Sequence, residues 1–284
     1  MGVAHQKNFH NVKSLFVLTS NGKEKSYICT KVAQLRYFIE MSFHGAAYSG
    51  WQKQPTENTV QAEVDRALST ALQVKTSCVG AGRTDSGVHA RFFVAHFDAE
   101  KIENQAQMIY KMNQLLPQDI SISHIYPVND EAHARFDAVS RAYEYCITQK
   151  KDPFLLDRAT YIKRPLSLEL MNKAAQELIN YTNFKSFSKV KTQVYTFNCN
   201  VKSAYWEQKG NSLIFNIKSD RFLRNMVRAI VGTLIEVGLR MISIEDFKQI
   251  VESQNRNNAG KSMPAHALFL TQIDYPQQIK LQNG

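Results

Sequence analysis

The sequence has few cysteines and no long apolar run, and these two shortages exclude several classes of protein. The four cysteines, Cys29, Cys78, Cys146 and Cys199, are scattered and contain no CxxC pair. They therefore indicate neither a disulfide framework nor a thiolate zinc site, and sparse cysteine is typical of a reducing cytosol. No stretch approaches the roughly 20 apolar residues that span a bilayer, and the N-terminus has no signal-peptide core. We expect a cytoplasmic protein without a membrane segment.

Motifs that bind metals or nucleotide cofactors are absent from the sequence, and acidic residues are fewer than basic ones. The eight histidines show no ligand spacing such as HExxH, and neither GxxxxGK[ST] nor GxGxxG occurs. Asp and Glu number 25 against 35 Lys and Arg, so the formal net charge is +10. An excess of this size predicts a polyanionic partner, nucleic acid first and an anionic membrane second, and the charge alone does not choose between them.

Segments with strand and helix character alternate along both halves of the chain. Aromatic and β-branched residues predict strands, for example from Leu35 and over 139–148, and apolar periodicity predicts helices between them. Hairpin-like pairs favour a mixed or antiparallel sheet over a doubly wound one. We therefore predict an α+β fold in which two similar α/β halves form one continuous mixed or antiparallel sheet flanked by helices. The predicted divisions are an N-terminal extension (1–33), an N-terminal half with a glycine-rich loop (34–137) and a C-terminal half (138–284).

Local signals also place the ends of several elements. Asn58, with Gln61 three residues later, predicts a capping box for the first helix. Short strands are predicted over 76–81 and, as one arm of a hairpin, over 195–206.

A long apolar helix is predicted from Arg221 to Gly238. On it Arg221, Arg224 and Arg228 fall within about 60° of one another. Snorkelling into solvent would explain such a stripe. A mostly buried helix offers little water, however, so the stripe also predicts a carboxylate or phosphate partner, and Asp85 is available.

The strongest local signal is the loop GAGRTDSGVHA at residues 80–90. Three glycines in eight residues mark a sharp turn or a close approach, and the loop holds one carboxylate, Asp85, with Arg83 before it and His89 after it. Asp-Ser-Gly is ordinary turn chemistry, which composition alone favours. The functional interpretation is a carboxylate displayed on a loop over a sheet.

A pair of tyrosines follows in the segment SRAYEY. Tyr143 and Tyr145 share one face of a predicted strand, and Glu144 lies on the other. Half-buried packing is the usual role of such a pair. A tyrosine beside basic residues could also stack on a nucleobase.

Taken together, these motifs resemble the TruA family of tRNA pseudouridine synthases. The resemblance rests on GRTDSGVHA, ARF followed by SRAYEY, and FLRNMVRAIVGTLIEVG, in that order, with GAAYSGWQKQP and AGKSMPAHALFL as further matches over roughly residues 35–275. It implies isomerisation of uridine to pseudouridine at positions 38, 39 and 40 of the tRNA anticodon stem-loop. It also implies a homodimer that needs no metal and no cofactor.

The resemblance assigns roles to four residues. Asp85 matches the catalytic aspartate, which attacks C1′ of the sugar or C6 of the base, or abstracts a ribose proton. Tyr143 matches the tyrosine that stacks on the target uracil, Arg83 the arginine that assists extrusion of the nucleotide, and Arg228 the arginine that pairs with the aspartate.

The match is incomplete at three places, one of which is the leader over 1–33 that lies outside the resemblance, and two other functions compete with it. Arg91-Phe92-Phe93 stands where the family has small or amide residues, and no role is assigned to Arg221 or Arg224. One alternative is a non-catalytic RNA-binding protein on the same fold. The other is a basic protein of acidic membrane surfaces, which lacks the expected amphipathic helix with a Lys-rich face.

Overall fold

The computed structural model describes residues 34–189 and 195–279, together with the backbone of two short strands. These strands, β1 (Leu15–Val17) and β2 (Lys25–Tyr27), pair antiparallel. The rest of the predicted extension over 1–33 lies outside the described residues.

The main body of the described chain contains one nine-stranded sheet and five α-helices. Its strands are β3 (Leu35–Phe43), β4 (Val79–Gly80), β5 (His89–Ala99), β6 (Ile120–Pro127), β7 (Ser140–Thr148), β8 (Thr160–Tyr161), β9 (Val201–Lys209), β10 (Ser212–Ser219) and β11 (Leu268–Asp274). Its helices are α1 (Val60–Leu72), α2 (Gln105–Leu115), α3 (Leu168–Glu177), α4 (Met226–Gly238) and α5 (Ile244–Glu252).

The sheet is mixed, as predicted. Its strand order is β6-β3-β5-β11-β7-β10-β9, with β4 added to β5 and β8 added to β7. The β5–β11 and β7–β8 pairs are parallel, and the other described pairs in this sheet are antiparallel. The prediction of an α+β fold with a mixed sheet and flanking helices is therefore confirmed.

Two hydrophobic clusters fill the space between the sheet and its helices. The first lies between α1, α2 and strands β3, β5 and β6, and the second surrounds α3, α4 and α5 beside β7, β9 and β10. Leu270 and Ile273 of β11 belong to the first cluster although they come late in the chain. Helix α4 is buried on most sides, yet no helix among the described residues is long and apolar enough to cross a bilayer.

The predicted capping box of α1 is wrong. Thr59 is the N-cap, and its hydroxyl accepts a hydrogen bond from the Ala62 N–H. Asn58 instead donates from its side chain to the Ala47 carbonyl. The Gln61 amide donates to the Cys78 carbonyl at 2.7 Å. Both side chains therefore join loops, and neither caps the helix.

The predicted helix over 221–238 starts too early. Asn225 adopts a left-handed conformation (φ 67°), which interrupts a right-handed helix, and α4 begins only at Met226. Its side-chain amide is held by the Ser262 hydroxyl at 2.6 Å. Of the three arginines, only Arg228 lies on α4, so the helical stripe does not exist.

Two other predicted strands are shorter than expected. The strand predicted over 76–81 is reduced to β4, and the hairpin arm predicted over 195–206 is paired only from Val201 onward. The described part of the earlier arm contributes one isolated bridge, at Asn198.

Candidate active site

The glycine-rich loop joins β4 to β5 and is fixed from one side by the loop around Gly50. Gly50 has a φ of +91°, and a Cβ added there would lie 2.3 Å from the Thr84 carbonyl oxygen. The next residue, Trp51, donates its backbone N–H to the Thr84 hydroxyl at 3.0 Å. The two loops therefore pack backbone to backbone, and this contact fixes the residue immediately before Asp85.

Asp85 lies between two arginines. Its side chain is 27% exposed, and its Oδ2 lies 3.4 Å from a terminal nitrogen of Arg228. Its Oδ1 lies 3.7 Å from Nε of Arg224. The Arg228 guanidinium is itself held, because its Nε donates to the Met263 carbonyl at 2.6 Å. Two cations flank one carboxylate, so this part of the site has an excess positive charge.

The segment over 261–263 positions Arg228 by packing closely on α4. A Cβ added to Gly232 would lie 1.9 Å from the Lys261 carbonyl oxygen. The Met263 N–H donates to the Arg228 carbonyl at 3.1 Å, next to the contact made by the Arg228 side chain. A glycine at 232 thus allows the approach that holds Arg228 toward Asp85.

Tyr143 is half-buried on β7, with its ring edge-on to Phe222 at 5.1 Å between ring centroids. Burial raises the pKa of Tyr143 to about 12, the Arg141 charge opposes that rise, and the Asp85 charge adds to it. The phenol is therefore neutral near pH 7. Tyr145, on the same face, is buried and donates its hydroxyl to the Pro264 carbonyl, which is a packing role.

Arg83 stands apart from this group. It is exposed, and its side chain forms no hydrogen bond or ion pair with any residue that the structure describes. Of the four residues selected from the sequence, Asp85 and Arg228 are in contact, and Tyr143 is close enough for the Asp85 charge to raise its pKa. Arg83 lies on the same loop, available to a ligand.

Arg141 joins the site from β7 through backbone carbonyls alone. One terminal nitrogen donates to the Ala138 and Asp220 carbonyls, each at 2.9 Å. The other donates to Ala81 at 3.1 Å and Arg135 at 2.7 Å. Arg141 therefore ties together the glycine-rich loop, the ARF segment and the segment that precedes α4.

Sequence reasoning missed Arg141, and it predicted a carboxylate partner for Arg224 from a helical stripe that does not exist. Arg141 shares the face of Tyr143 on β7, and an arginine on the half-buried face of a strand was the available signal. Arg224 precedes α4, which begins at Met226, so its contact with Asp85 follows from the loop geometry.

Arg91-Phe92-Phe93, the departure from the family pattern, packs on both sides of β5. The Arg91 guanidinium lies over the Phe269 ring at 4.9 Å and pairs with Glu144 at 3.4 Å. Phe93 is fully buried against Trp51, with ring centroids 4.2 Å apart. The large side chains thus connect β5 to β11, to β7 and to the loop beside the glycine-rich segment.

His89 connects the end of the glycine-rich loop to three neighbouring segments. Its Nδ1 accepts from the Gly45 N–H at 2.9 Å. Its Nε2 faces the carbonyls of Asp157 and His266 at 2.9 and 2.8 Å, so the ring proton lies on Nε2. Burial lowers the pKa of His89, which favours this neutral form.

Comparison with known proteins identifies the family to which this chain belongs. A family model described as tRNA pseudouridine synthase matches residues 40–137 and 174–276. The chain belongs to the tRNA pseudouridine synthase family, a family of isomerases.

Its relatives cover most of its length. The tRNA pseudouridine synthase A of Parabacteroides distasonis is 47% identical over 245 residues, which are 86% of this chain and 97% of that protein. The protein of the same name from Bacteroides fragilis is 48% identical over 249 residues, 86% of this chain and 98% of its own. That of Hydrogenovibrio crunogenus is 36% identical over 245 residues, 86% and 94% of the two chains.

Proposed function

We propose that the protein isomerises uridine to pseudouridine at positions 38, 39 and 40 of the anticodon stem-loop of tRNA, with Asp85 as the nucleophile. The observation that carries this proposal is the Asp85 carboxylate, partly exposed on a loop and paired with the fixed Arg228. Family membership supports the reaction, and the net charge of +10 supports a polyanionic substrate.

The reaction exchanges one glycosidic bond for another. The N1–C1′ bond breaks, the C5–C1′ bond forms, the proton on C5 leaves, and N1 gains a proton. The Asp85 carboxylate starts this exchange by attack at C1′ or at C6, or by removal of a ribose proton. Each route needs an ionised carboxylate at the start, and the fixed Arg228 guanidinium lies 3.4 Å from it.

A uridine in a stem must leave the base stack before it can react, which costs a few kcal/mol. In this proposal the half-buried Tyr143 ring stacks on the extruded uracil and recovers part of that cost. Arg83, which is exposed on the same loop as Asp85, contacts the RNA and assists extrusion.

We also propose that the protein acts in the cytoplasm, as a homodimer whose two subunits contact one tRNA. Its chain divides into the extension (1–33), the half that carries the glycine-rich loop (34–137) and the C-terminal half (138–284). The two hydrophobic clusters lie largely one in each half, which supports the boundary between residues 137 and 138.

The test is release of tritium from tRNA transcripts that carry 5-tritiated uridine. We expect release by the wild type and none by Asp85→Asn, with the new pseudouridines mapped to positions 38–40. The matched control is Asp98→Asn, the same substitution at an arginine-paired carboxylate on β5. Normal release by Asp85→Asn would refute the role of Asp85. Binding of tRNA without release by the wild type would favour a non-catalytic RNA-binding protein.

A further inference from the structure

The two arginines that flank Asp85 are held in different ways. The Arg228 side chain is only 21% exposed and is anchored through Nε to the Met263 carbonyl. The Arg224 side chain is 60% exposed, and Asp85 is its sole partner among the residues that the structure describes. The Arg228 side chain is therefore fixed by the surrounding protein, whereas the Arg224 side chain is free to move away from the Asp85 carboxylate.

The backbone at Arg224 is fixed, so the freedom belongs to the side chain. The Arg224 carbonyl accepts the Lys189 N–H at 3.0 Å. The next residue, Asn225, is held in its left-handed conformation by the hydrogen bond to Ser262. The Arg224 side chain can therefore change its conformation while its backbone stays in place at the edge of the site.

The Arg224 contact with Asp85 is weak, and a stronger partner for Arg224 would replace it. An exposed ion pair with its atoms 3.7 Å apart contributes little to stability. A phosphate group, in contrast, accepts two parallel hydrogen bonds from a guanidinium. Since Arg228 alone holds Oδ2, the carboxylate keeps one partner when Arg224 moves away.

We propose that Arg224 exchanges Asp85 for a backbone phosphate beside the target uridine when RNA binds. The exchange leaves Oδ1 of Asp85 unpaired and available for reaction, and it adds a phosphate contact at the moment of binding. Arg224 is a substrate-binding residue in this scheme, and its role rests on the proposed function of the site.

The experiment measures tRNA affinity over a series of salt concentrations for the wild type, Asp85→Asn, Arg224→Gln and the double variant, and single-turnover rates for the wild type and Arg224→Gln. In the Asp85→Asn background, Arg224→Gln should weaken binding about tenfold. It should also lower the slope of log affinity against log salt by about 0.7–0.9, the value of one phosphate contact. Arg66→Gln, which removes an exposed arginine of α1 paired with Glu63, serves as the matched control and should leave both unchanged.

Competition between the Asp85 carboxylate and an RNA phosphate for Arg224 has a second measurable consequence. Asp85→Asn should tighten tRNA binding at least threefold more when residue 224 is arginine than when it is glutamine. Simple repulsion of RNA by the Asp85 charge would give equal tightening in both backgrounds. Arg224→Lys should keep the salt slope of the wild type, which excludes misfolding as the cause of the Arg224→Gln effect.

Two results would overturn the proposal. One is an unchanged affinity and salt slope in Arg224→Gln. The other is a slower single-turnover rate at unchanged affinity, which would make Arg224 a residue that only orients Asp85. Because affinity is read separately from turnover, tRNA binding without tritium release by the wild type would refute the proposed function and still test Arg224.

Discussion

Arg141 binds four carbonyls because its planar guanidinium presents several N–H donors at once, and a single positive charge would not be enough. In Arg141→Lys the charge stays, but one ammonium group cannot reach the Ala81, Arg135, Ala138 and Asp220 carbonyls together. We expect the free energy of unfolding to fall by about 2–3 kcal/mol. The single-turnover rate should fall as well, because the glycine-rich loop loses one of its anchors. Urea unfolding and tritium release measure the two effects.

The control for this substitution is Arg158→Lys. Arg158 is about half exposed and donates to one carbonyl, that of Phe154. Its replacement should change the unfolding free energy by no more than about 0.5 kcal/mol. Equal stability of Arg141→Lys and Arg158→Lys would contradict the anchoring role of Arg141.

Gly232→Ala sets helix propensity against a steric clash. Alanine favours a helix interior over glycine by about 1 kcal/mol. Its Cβ would, however, lie 1.9 Å from the Lys261 carbonyl oxygen and displace the segment that holds Arg228. We expect the clash to dominate, with a net loss of about 2 kcal/mol in thermal or urea unfolding.

Gly82→Ala is the comparison for Gly232→Ala, since a Cβ at Gly82 meets no atom within 4 Å. Its unfolding free energy should stay within about 0.5 kcal/mol of the wild type. The steric argument fails if Gly232→Ala is as stable as the wild type.

At the scale of secondary-structure elements, strand β5 contains a buried histidine that makes stability depend on pH. Burial, with help from the His133 and Arg36 charges, lowers the pKa of His96 to about 4, against the opposing charges of Asp98 and Asp137. The unfolded chain, with a histidine pKa of about 6.5, therefore binds the proton first as the pH falls. This contribution to stability is complete above pH 6.5 and is lost between pH 6.5 and 4, by about 3 kcal/mol.

The measurement compares the wild type with His96→Asn in urea at pH 7 and pH 4.5. Asparagine keeps an acceptor for the Ala134 N–H, which Nδ1 of His96 now accepts at 3.1 Å, and it does not titrate. Between pH 7 and pH 4.5 the free energy of unfolding should fall further in the wild type than in the variant, by most of the about 3 kcal/mol attributed to His96. Parallel losses in the two proteins would show that another group causes the acid sensitivity.

The sequence predicted elements well where periodicity is local and poorly where distant side chains decide. The buried face of α1, for example Val60 and Val64, follows from helical spacing. The strand predicted over 76–81 is shortened to β4 because α1 side chains satisfy the backbone before it: Asp65 accepts the Cys78 N–H, and Gln61 donates to the Cys78 carbonyl. No pattern within 76–81 contains that information.

The same limit applies to the site. Asp85 and Arg228 were selected because their motifs match a family, and the structure brings them within 3.4 Å. Arg224 approaches Asp85 only because Asn225 turns left-handed against Ser262, which lies on a different segment. Arg141 depends on four carbonyls from separate parts of the chain, a relation that spacing cannot show.

At the scale of the whole molecule, the two proposed halves depend on each other. Leu270, Ile273 and Ile279 complete the first hydrophobic cluster, and β11 pairs with β5. We therefore expect residues 34–137 alone to remain unfolded, since that fragment lacks part of its core and leaves an edge of β5 unpaired. Circular dichroism and amide NMR dispersion of the fragment, against residues 34–279, provide the measurement. Cooperative unfolding of the isolated fragment would contradict this dependence.

The parallel pairing of β5 with β11 also has a consequence during synthesis on the ribosome. A growing chain presents its N-terminal parts first, and local contacts form before distant ones. The first two residues of β5, His89 and Ala90, follow the Asp85 loop directly, and they pair with Phe269 and Leu270 of β11, which are made much later. The backbone pairing at the end of the Asp85 loop therefore forms only after β11 has been synthesised, so we expect the folded site to be a late product of translation.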